Sequence, residues 1–164
     1  RTTNGGRNWR ENNFQLGGGV RNLKGVAVSA DGDLFVSLRS VGLLRSADDG
    51  RTWTPSQEGI TFTNTLFGTV SAPIFDPNDP EVALVYNSDG VFRSADGGTT
   101  WQRLSEGLSV TAVVTTLAFA PARPDVAYGG TAAGGVWMMA EQVTDPPDPP
   151  DPPARLMFVP MIRK

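Results

Sequence analysis

Carboxylates are the side chains of this sequence with the widest chemical use, because paired acids can cleave glycosidic bonds and clustered acids can hold metal ions. The chain has 164 residues and contains neither histidine nor cysteine. The commonest general base, a Ser-His-Asp triad and thiolate metal sites are therefore excluded. The acids that lie in predicted turns or loops are Asp31, Asp33, Glu58, Asp89, Glu106 and Asp125.

A glycosidase needs two carboxylates that face one sugar bond, roughly 5–10 Å apart. The sequence places no two of these acids on one rim, so we assign no catalytic residue. The run Asp48-Asp49-Gly50 is similar to part of a calcium loop, but the further spaced oxygen donors and the terminal Glu are missing. Turn chemistry is the better interpretation, and we predict neither a metal site nor a cofactor.

The run at Asp48 belongs to a nine-residue stretch that occurs three times. Arg93–Trp101 reads RSADGGTTW, Arg45–Trp53 reads RSADDGRTW, and Arg1–Trp9 reads RTTNGGRNW as a weaker copy. The three tryptophans are spaced 44 and 48 residues apart. A recurrence of this period is typical of repeat architectures, so the stretch indicates fold before it indicates activity.

Each residue type in the stretch has a structural use. The carboxylate of Asp96 can accept hydrogen bonds from the backbone of its own turn. Gly98 can adopt a positive φ that a side chain would resist, and the β-branched Thr100 suits the strand that follows. Trp101 offers a large apolar face and an N–H group that needs an acceptor. The stretch therefore predicts a hairpin clasp, with no nucleophile or ligand set.

Short apolar runs separated by Gly, Asp and Pro turns surround the repeats and predict strands, and no convincing helix is found. The first unit has four predicted strands, the second repeats that order, and the third has three. The predicted strands are 8–10, 23–29, 34–38, 42–45, a strand beginning at 52–54, 69–75, 82–86, 91–93, 101–104, 113–120, 126–129 and 134–137. Residues 15–22, 76–80 and 121–125 are predicted loops or turns. Four-stranded units of this period predict an all-β fold built from β-propeller blades.

The composition changes after Val143. Residues 145–153 repeat Asp-Pro-Pro three times and predict a stiff polyproline II spacer of roughly 28 Å. Beyond it, Ala154–Lys164 is apolar with a basic end. Two interpretations of this tail remain open: a frayed end, or a sorting or anchoring element of an exported protein, which it resembles. The segment is too short to span a bilayer.

The stretch Ser-x-Asp-x-Gly-x-Thr-Trp resembles the Asp-box, or BNR repeat, over residues 1 to about 140. The resemblance implies a structural role for Ser46, Asp48, Gly50, Thr52, Trp53, Ser94, Asp96, Gly98, Thr100 and Trp101, and, in degenerate form, for Asn4, Gly6 and Trp9, with Thr2 and Asn8. It also implies that the box lies on outer hairpins, away from the central channel where ligands bind. Family members include sialidases, xyloglucanase-type glycoside hydrolases, sortilin-type receptors and photosystem assembly factors.

Sialidase-like chemistry would need an arginine cluster and a tyrosine nucleophile, and the Arg-Ile-Pro type motif is absent. The only tyrosines, Tyr86 and Tyr128, occupy equivalent second-strand positions where core packing is expected. Arg45 and Arg93 precede two boxes and are interpreted as structural, although a ligand clamp is the alternative. Trp137 matches Phe92 in position and is expected in the core.

The domain prediction is a β-propeller segment over 1–143, with blades at about 10–57, 58–105 and 106–143, then a linker at 144–153 and a tail at 154–164. Three blades do not usually close a ring, which leaves two explanations: the end of a longer propeller, or self-assembly of copies. The net charge of −3 argues against nucleic acid as a partner.

The predicted function is a non-catalytic, extracytoplasmic module, secreted or on the cell surface, that binds a protein or glycan ligand. One alternative is the C-terminal blades of an Asp-box glycoside hydrolase whose catalytic residues lie mostly outside this chain. A purely structural repeat in a large surface protein is the third interpretation.

Overall fold

The computed structural model describes residues 2–9, 22–63, 69–104, 113–141 and 156–160, with the backbone alone for 124–125, 140–141 and 156–160. These residues contain twelve strands in three four-stranded antiparallel sheets, and none of them is helical. The predicted all-β fold of about three four-stranded blades is confirmed. The spacer at 145–153, Glu106 and most of the predicted loop at 15–22 lie outside the described residues.

Sheet 1 follows the chain, so that each strand pairs with the next one along the sequence. Its strands are β1 (Leu23–Val28), β2 (Leu34–Leu38), β3 (Gly42–Ser46) and β4 (Thr54–Pro55). Val36 lies opposite Val26 on one side and Leu44 on the other, which fixes the register of the apolar positions.

Sheet 2 has the same order, with β5 (Ile74–Phe75), β6 (Ala83–Asn87), β7 (Gly90–Ser94) and β8 (Gln102–Leu104). The predicted strand at 69–75 was too long. The Ser71 N–H donates to the Tyr86 carbonyl at 2.8 Å, but the Tyr86 N–H donates to the Ser71 hydroxyl at 2.9 Å. A side chain takes the place of a backbone acceptor there, so the regular ladder is confined to Ile74–Phe75.

Sheet 3 consists of β9 (Val114–Ala120), β10 (Arg123–Thr131), β11 (Gly135–Glu141) and β12 (Leu156–Pro160), again in chain order. Two sequence predictions are corrected here. The predicted turn at 121–125 is shorter, because β10 begins at Arg123 with a register irregularity before Ala127. The third unit has four strands rather than three, because part of the predicted tail pairs with β11.

The predicted short strand around Asn8-Trp9-Arg10 is wrong for Asn8 and Trp9, and Arg10 lies outside the described residues. The Asn8 N–H is held by the Asn4 side-chain oxygen at 3.0 Å, within a turn. Trp9 is 73% exposed, so it has no apolar surface to pack on that would fix a strand.

Two hydrophobic clusters lie between the sheets and hold them together. Phe35 and Leu43 of sheet 1 pack with Val85, Phe92 and Trp101 of sheet 2. A second cluster joins sheets 2 and 3 through buried residues from both: Leu84, Val91, Val114, Leu117, Ala127 and Met139. Sheet 2 therefore buries both of its faces, and sheets 1 and 3 each bury one face against it, as stacked blades do.

Sheet 1 also has a face turned away from sheet 2. Val36, Leu38 and Leu44 form a small buried cluster there, with Trp53 packed against it. Ala27 packs into the core between sheets 1 and 2, so the alternation of a strand places Val26 on this opposite face, where it is 63% exposed. No helix formed by the described residues is long and apolar enough to cross a membrane.

Candidate functional site

We name the three repeats box A (Thr2–Trp9), box B (Ser46–Trp53) and box C (Ser94–Trp101). In box B the Asp48 carboxylate is the centre of the turn. It accepts from the Ser46 hydroxyl at 2.8 Å, from the Thr52 N–H at 2.8 Å and from the Thr52 hydroxyl at 2.7 Å. The Gly50 N–H donates to the Ser46 oxygen at 2.9 Å, which closes the turn from the other side.

Box C repeats these contacts with the equivalent residues. The Asp96 carboxylate accepts from the Ser94 hydroxyl at 2.7 Å, and from the N–H and hydroxyl of Thr100 at 2.8 and 2.6 Å. The Gly98 N–H donates to Ser94 Oγ at 2.8 Å, and Gly98 has a φ of 87°. The left-handed backbone explains the glycine, because a side chain would be strained there.

Box A keeps part of the pattern with substituted residues. Thr2 takes the serine position, donating its hydroxyl to the Asn4 oxygen at 3.0 Å and accepting from the Gly6 N–H at 3.0 Å. An amide oxygen can therefore accept the hydrogen bond that a carboxylate accepts in boxes B and C. Trp9 differs from its counterparts because it is exposed.

The hydrogen bonds of boxes B and C shift the pKa of both acids. The backbone and hydroxyl of Thr52, followed by the Ser46 hydroxyl, lower the pKa of Asp48 from 3.8 to about 2. Partial burial alone would raise the pKa of Asp96, but donors led by the Thr100 hydroxyl lower it below its ordinary value. Both carboxylates are thus held in the ionised form, which suits an acceptor in a turn and does not suit a general acid.

Box C also joins sheet 2 to the end of sheet 1. The Trp101 indole N–H donates to the Ser56 carbonyl at 3.0 Å, and its backbone N–H donates to the Glu58 carbonyl at 2.9 Å. The Ser56 hydroxyl donates in return to the Gly98 carbonyl. Gly59 has a φ of 88°, and a Cβ there would lie 1.9 Å from the Trp101 oxygen. We call Ser56–Ile60 the docking segment, because box C binds to it.

Arg45 adds a second link between the two sheets. Its guanidinium contacts the Asp33 carboxylate at 2.5 and 2.7 Å and donates to the Thr99 hydroxyl of box C at 3.2 Å. The charged group also lies 5.7 Å from the ring centre of Phe35, close enough for a cation–π contact. These contacts indicate a structural role for Arg45. Arg93, its equivalent in sheet 2, is half-buried.

Two of the candidate acids contact other groups of the fold. Asp33 is paired with Arg45, and Asp89 accepts from the Thr63 N–H at 2.7 Å. Glu58 contributes its backbone to the docking segment. The side chain of Asp125 lies outside the described set, as does Glu106. Within the described ranges, no group of three or more acidic residues could hold a metal ion.

A cleft of about 540 Å³ lies where the first strands of the three sheets converge. Its walls are Lys24 and Gly25 of β1, the segment 69–72 before β5, the end of β6, and residues 113, 114, 116 and 117 at the start of sheet 3. The described residues that line it carry hydroxyls, an amide and one amine, and none of them is a carboxylate. Val70, Leu84, Val114 and Leu117 give it an apolar floor.

Tyr86 and Asn87 shape one wall of this cleft. The Tyr86 hydroxyl donates to the Thr115 carbonyl of sheet 3, and its ring packs against the core between sheets 2 and 3. The Asn87 amide donates to the Thr61 carbonyl at 2.7 Å. These contacts hold the Tyr86 side chain in place, as the predicted packing role requires. Tyr128 is half-buried on β10. Trp137 packs beside the core between sheets 2 and 3.

Sequence reasoning missed both the docking segment and the cleft. A signal for the first was present, because Thr52-Trp53 is followed by Glu58-Gly59-Ile60 and Thr100-Trp101 by Glu106-Gly107-Leu108 at the same spacing. The second copy lies outside the described residues. No comparable pattern marks the cleft, whose lining comes from three separate units.

Comparison with known proteins shows the fold. No family model matches the sequence, and no curated protein matches it. A GH74 enzyme from Niastella koreensis aligns with a TM-score of 0.58 at 21% identity, covering 70% of this chain and 19% of that one. A GH74 xyloglucanase from Xanthomonas campestris gives 0.53 at 21% identity, with 70% and 20% covered.

An ancestral GH74 enzyme gives a TM-score of 0.58 at 15% identity, covering 85% of this chain and 20% of that one. This chain therefore spans about a fifth of the length of the structures it matches. At these identities the likeness establishes a fold of the β-propeller type found in GH74 enzymes, and nothing further.

Proposed function

We propose that this chain is a non-catalytic module of an Asp-box β-propeller, extracytoplasmic in location, which binds a glycan or protein ligand in the cleft between the three sheets. The observation that carries the proposal is the position of the cleft, at the first-strand edge of every sheet, while the boxes lie at the connections to the fourth strands. Propeller ligands bind around the central channel, and the first strands of the blades line it.

The chemistry of the cleft favours a neutral sugar as the first ligand to test. Hydroxyl, amide and amine donors suit sugar hydroxyls, and apolar side chains suit the flat C–H faces of pyranose rings. Lys24 and Thr116 are exposed within the cleft and are free to meet a ligand from this side. Because one matched structure is a xyloglucanase, xyloglucan oligosaccharides are the first probe and a glycan array is the second.

Binding is tested by calorimetry with the pair Lys24→Glu and Thr116→Ala in one variant. We expect about a 30-fold loss of affinity, since two polar contacts are lost and each is worth about 1 kcal/mol. The matched control makes the same change of charge and loss of a hydroxyl at an outer turn and strand, Arg51→Glu with Thr54→Ala, and should bind as the parent does. Equal affinities for the two variants would place the ligand elsewhere.

The second candidate is that these blades belong to a glycoside hydrolase. The matched GH74 enzymes, of which this chain covers about a fifth, favour it. The two proposals separate in a reducing-sugar assay of the full product of the parent gene on xyloglucan and on sialosides, because the catalytic residues of such a hydrolase would lie mostly outside this chain. Steady turnover that is lost in a cleft variant would overturn the non-catalytic proposal, whereas binding without turnover would support it.

The partners and location proposed from the sequence are tested separately. The exposed apolar face of sheet 1 fits a further blade, either from a longer propeller or from a second copy. Light scattering of the purified chain distinguishes the two, because a monomer with a cooperative melt would exclude assembly of copies. Fractionation of a cell that expresses the parent gene tests the extracytoplasmic location.

A further inference from the structure

Box A has the backbone of the other two boxes but lacks their acid. Gly5 has a φ of 66°, and the residues at the same position, Asp49 in box B and Gly97 in box C, have 61° and 64°. Asn4 precedes Gly5, where both other boxes have an aspartate. The turn of box A therefore has the shape that holds an acid, and it holds the amide of that acid instead.

The pair Asn4-Gly5 can lose this amide by a reaction of its own backbone. The nitrogen of the residue after an asparagine can attack the side-chain carbonyl carbon, because the chain already holds the two atoms close enough to close a five-membered ring. Glycine favours the attack, because it has no side chain to obstruct the ring. Of the eight asparagines in the sequence, Asn4 alone is followed by glycine.

The surroundings of Asn4 leave the reacting groups accessible. No described residue accepts a hydrogen bond from the Gly5 N–H, so the attacking nitrogen is not held elsewhere. A Cβ on Gly5 would meet nothing within 4 Å, and both residues are exposed to the water that the reaction needs. The Thr2 hydroxyl and the Asn8 N–H each donate at 3.0 Å to the side-chain oxygen, where the negative charge of the intermediate develops.

We propose that Asn4 is a site of spontaneous deamidation, promoted by the donors of its own turn. Hydroxide removes the proton of the Gly5 N–H, and the nitrogen forms a bond to the side-chain carbon of Asn4. The C–N bond of the amide breaks, and ammonia leaves with a proton from water, which regenerates hydroxide. Water then opens the succinimide ring. Cleavage of the new bond leaves aspartate, whereas cleavage at the main-chain carbonyl leaves isoaspartate.

The aspartate product fits the turn that is already present. Its carboxylate can accept from the same hydroxyl and N–H groups, as Asp48 and Asp96 do in boxes B and C. Hydrogen bonds to a charged acceptor are about twice as strong as neutral ones, so this product should stabilise box A. The isoaspartate product adds a methylene group to the main chain and changes the turn. This proposal does not depend on the proposed ligand.

Peptide mapping by mass spectrometry tests the proposal on the full chain, incubated in mildly alkaline buffer and sampled over days. The peptide that contains Asn4 should gain the mass of an amide-to-acid conversion and separate into two forms, with Asn4→Asp as the standard for the aspartate form. Asn87 is the internal control. It is buried and its amide donates to the Thr61 carbonyl at 2.7 Å, so it should keep its amide over the same period.

Two matched glycine variants show whether the reaction passes through the ring. Gly5→Ala places a methyl group on the attacking residue. Gly6→Ala places the same group on the next left-handed residue, whose φ is 86°, and leaves the attacking glycine unchanged. Conversion should be largely lost in Gly5→Ala and kept in Gly6→Ala.

A second pair of variants tests the donors of the turn. Thr2→Val should slow the conversion about fivefold, because one hydrogen bond to the developing charge is lost. Thr2→Ser keeps the hydroxyl and should convert as the parent does. Three outcomes overturn the proposal: an Asn4 amide that survives after Asn87 has converted, equal rates in Gly5→Ala and Gly6→Ala, and a rate in Thr2→Val that stays the same or rises.

Discussion

Two kinds of connection lead to a fourth strand in this molecule. In sheets 1 and 2 it is a seven-residue turn whose acid accepts hydrogen bonds from its own backbone and hydroxyl groups. In sheet 3 it is a fourteen-residue segment built on Asp-Pro-Pro repeats. The strand order is the same in all three sheets. A box is therefore not required to place a fourth strand next to a third.

What distinguishes the box is its second contact. Box C is docked on Ser56–Ile60 of the preceding unit through both N–H groups of Trp101. In box B the Trp53 indole donates at 3.1 Å to Gly50 of its own turn. We infer that box C acts as an inter-sheet joint through its docking segment, whereas the indole bond of Trp53 lies within the turn of box B. The predictions below separate these two roles.

The largest effect is expected from Trp101→Ala. Trp101 is 3% exposed in the core between sheets 1 and 2, and its removal leaves a cavity and an unpaired Ser56 carbonyl. We expect the free energy of unfolding to fall by about 3–5 kcal/mol, measured by urea titration. Trp53→Ala, at the equivalent position but only half-buried, should cost about half as much. Equal losses would show that docking adds nothing to the box.

The next effect concerns the acid at the centre of the turn. Asp96→Ala leaves the buried Ser94 hydroxyl and the Thr100 N–H without their acceptor. We expect a loss of about 2 kcal/mol in the urea-derived free energy of unfolding. Asp79→Ala removes another turn acid that accepts the Glu81 N–H at 3.1 Å from an exposed position, and it should cost under about 1 kcal/mol. A larger loss from Asp79→Ala than from Asp96→Ala would contradict the structural role assigned to the Asp96 carboxylate.

Acid should weaken boxes B and C together. The pKa of Asp48 is lowered from 3.8 to about 2 by the Thr52 and Ser46 donors, and that of Asp96 is also lowered. A depressed folded-state pKa contributes stability that is present above pH 4 and is lost as the pH falls toward 2. The melting temperature, measured by circular dichroism, should therefore fall across this window.

Other carboxylates titrate in the same range, so the control is a variant with Asp48→Asn and Asp96→Asn. Box A shows that an asparagine oxygen can accept the bonds of the turn, because Asn4 accepts the Asn8 N–H. The double variant should start from a lower melting temperature at pH 7 and lose less of it between pH 4 and 2. An unchanged pH slope would mean that neither acid carries the linkage.

The sequence predicted the parts of the fold that depend on residues close together in the chain. The spacing of the tryptophans gave the repeat, and the turn residues Asp96 and Gly98 marked the hairpin between two strands. The strand Leu34–Leu38 was predicted with its observed bounds, because it is largely apolar and a clear Asp-Gly turn precedes it. These features depend on neighbours within a few residues, so a single sequence suffices to find them.

The failures came from contacts between distant segments. Nothing near Leu156–Pro160 signals that it pairs with β11, because an edge strand is held by backbone bonds that its sequence does not encode. The docking of Trp101 on Ser56 spans 45 residues. The cleft is assembled from three units, none of which carries a recognisable site motif.

The smallest expected effect compares one turn position in the two boxes. Asp49 has a φ of 61° in box B, and Gly97 has a φ of 64° in box C. Asp49→Gly should change the free energy of unfolding by less than about 0.5 kcal/mol, because relief of the left-handed backbone offsets the greater freedom of glycine in the unfolded chain. The reverse change, Gly97→Asp, should cost about 1–2 kcal/mol.

The asymmetry has a structural reason. A Cβ on Gly97 would lie 3.5 Å from the Glu81 side-chain oxygen, so an aspartate there adds charge repulsion to backbone strain. Repeating the urea titrations of Gly97→Asp in 1 M salt separates the two terms, since salt screens the repulsion and leaves the strain. If Gly97→Asp destabilises box C no more than Asp49→Gly alters box B, then the two turns tolerate the left-handed residue alike, and the difference between the boxes resides in the tryptophan joint alone.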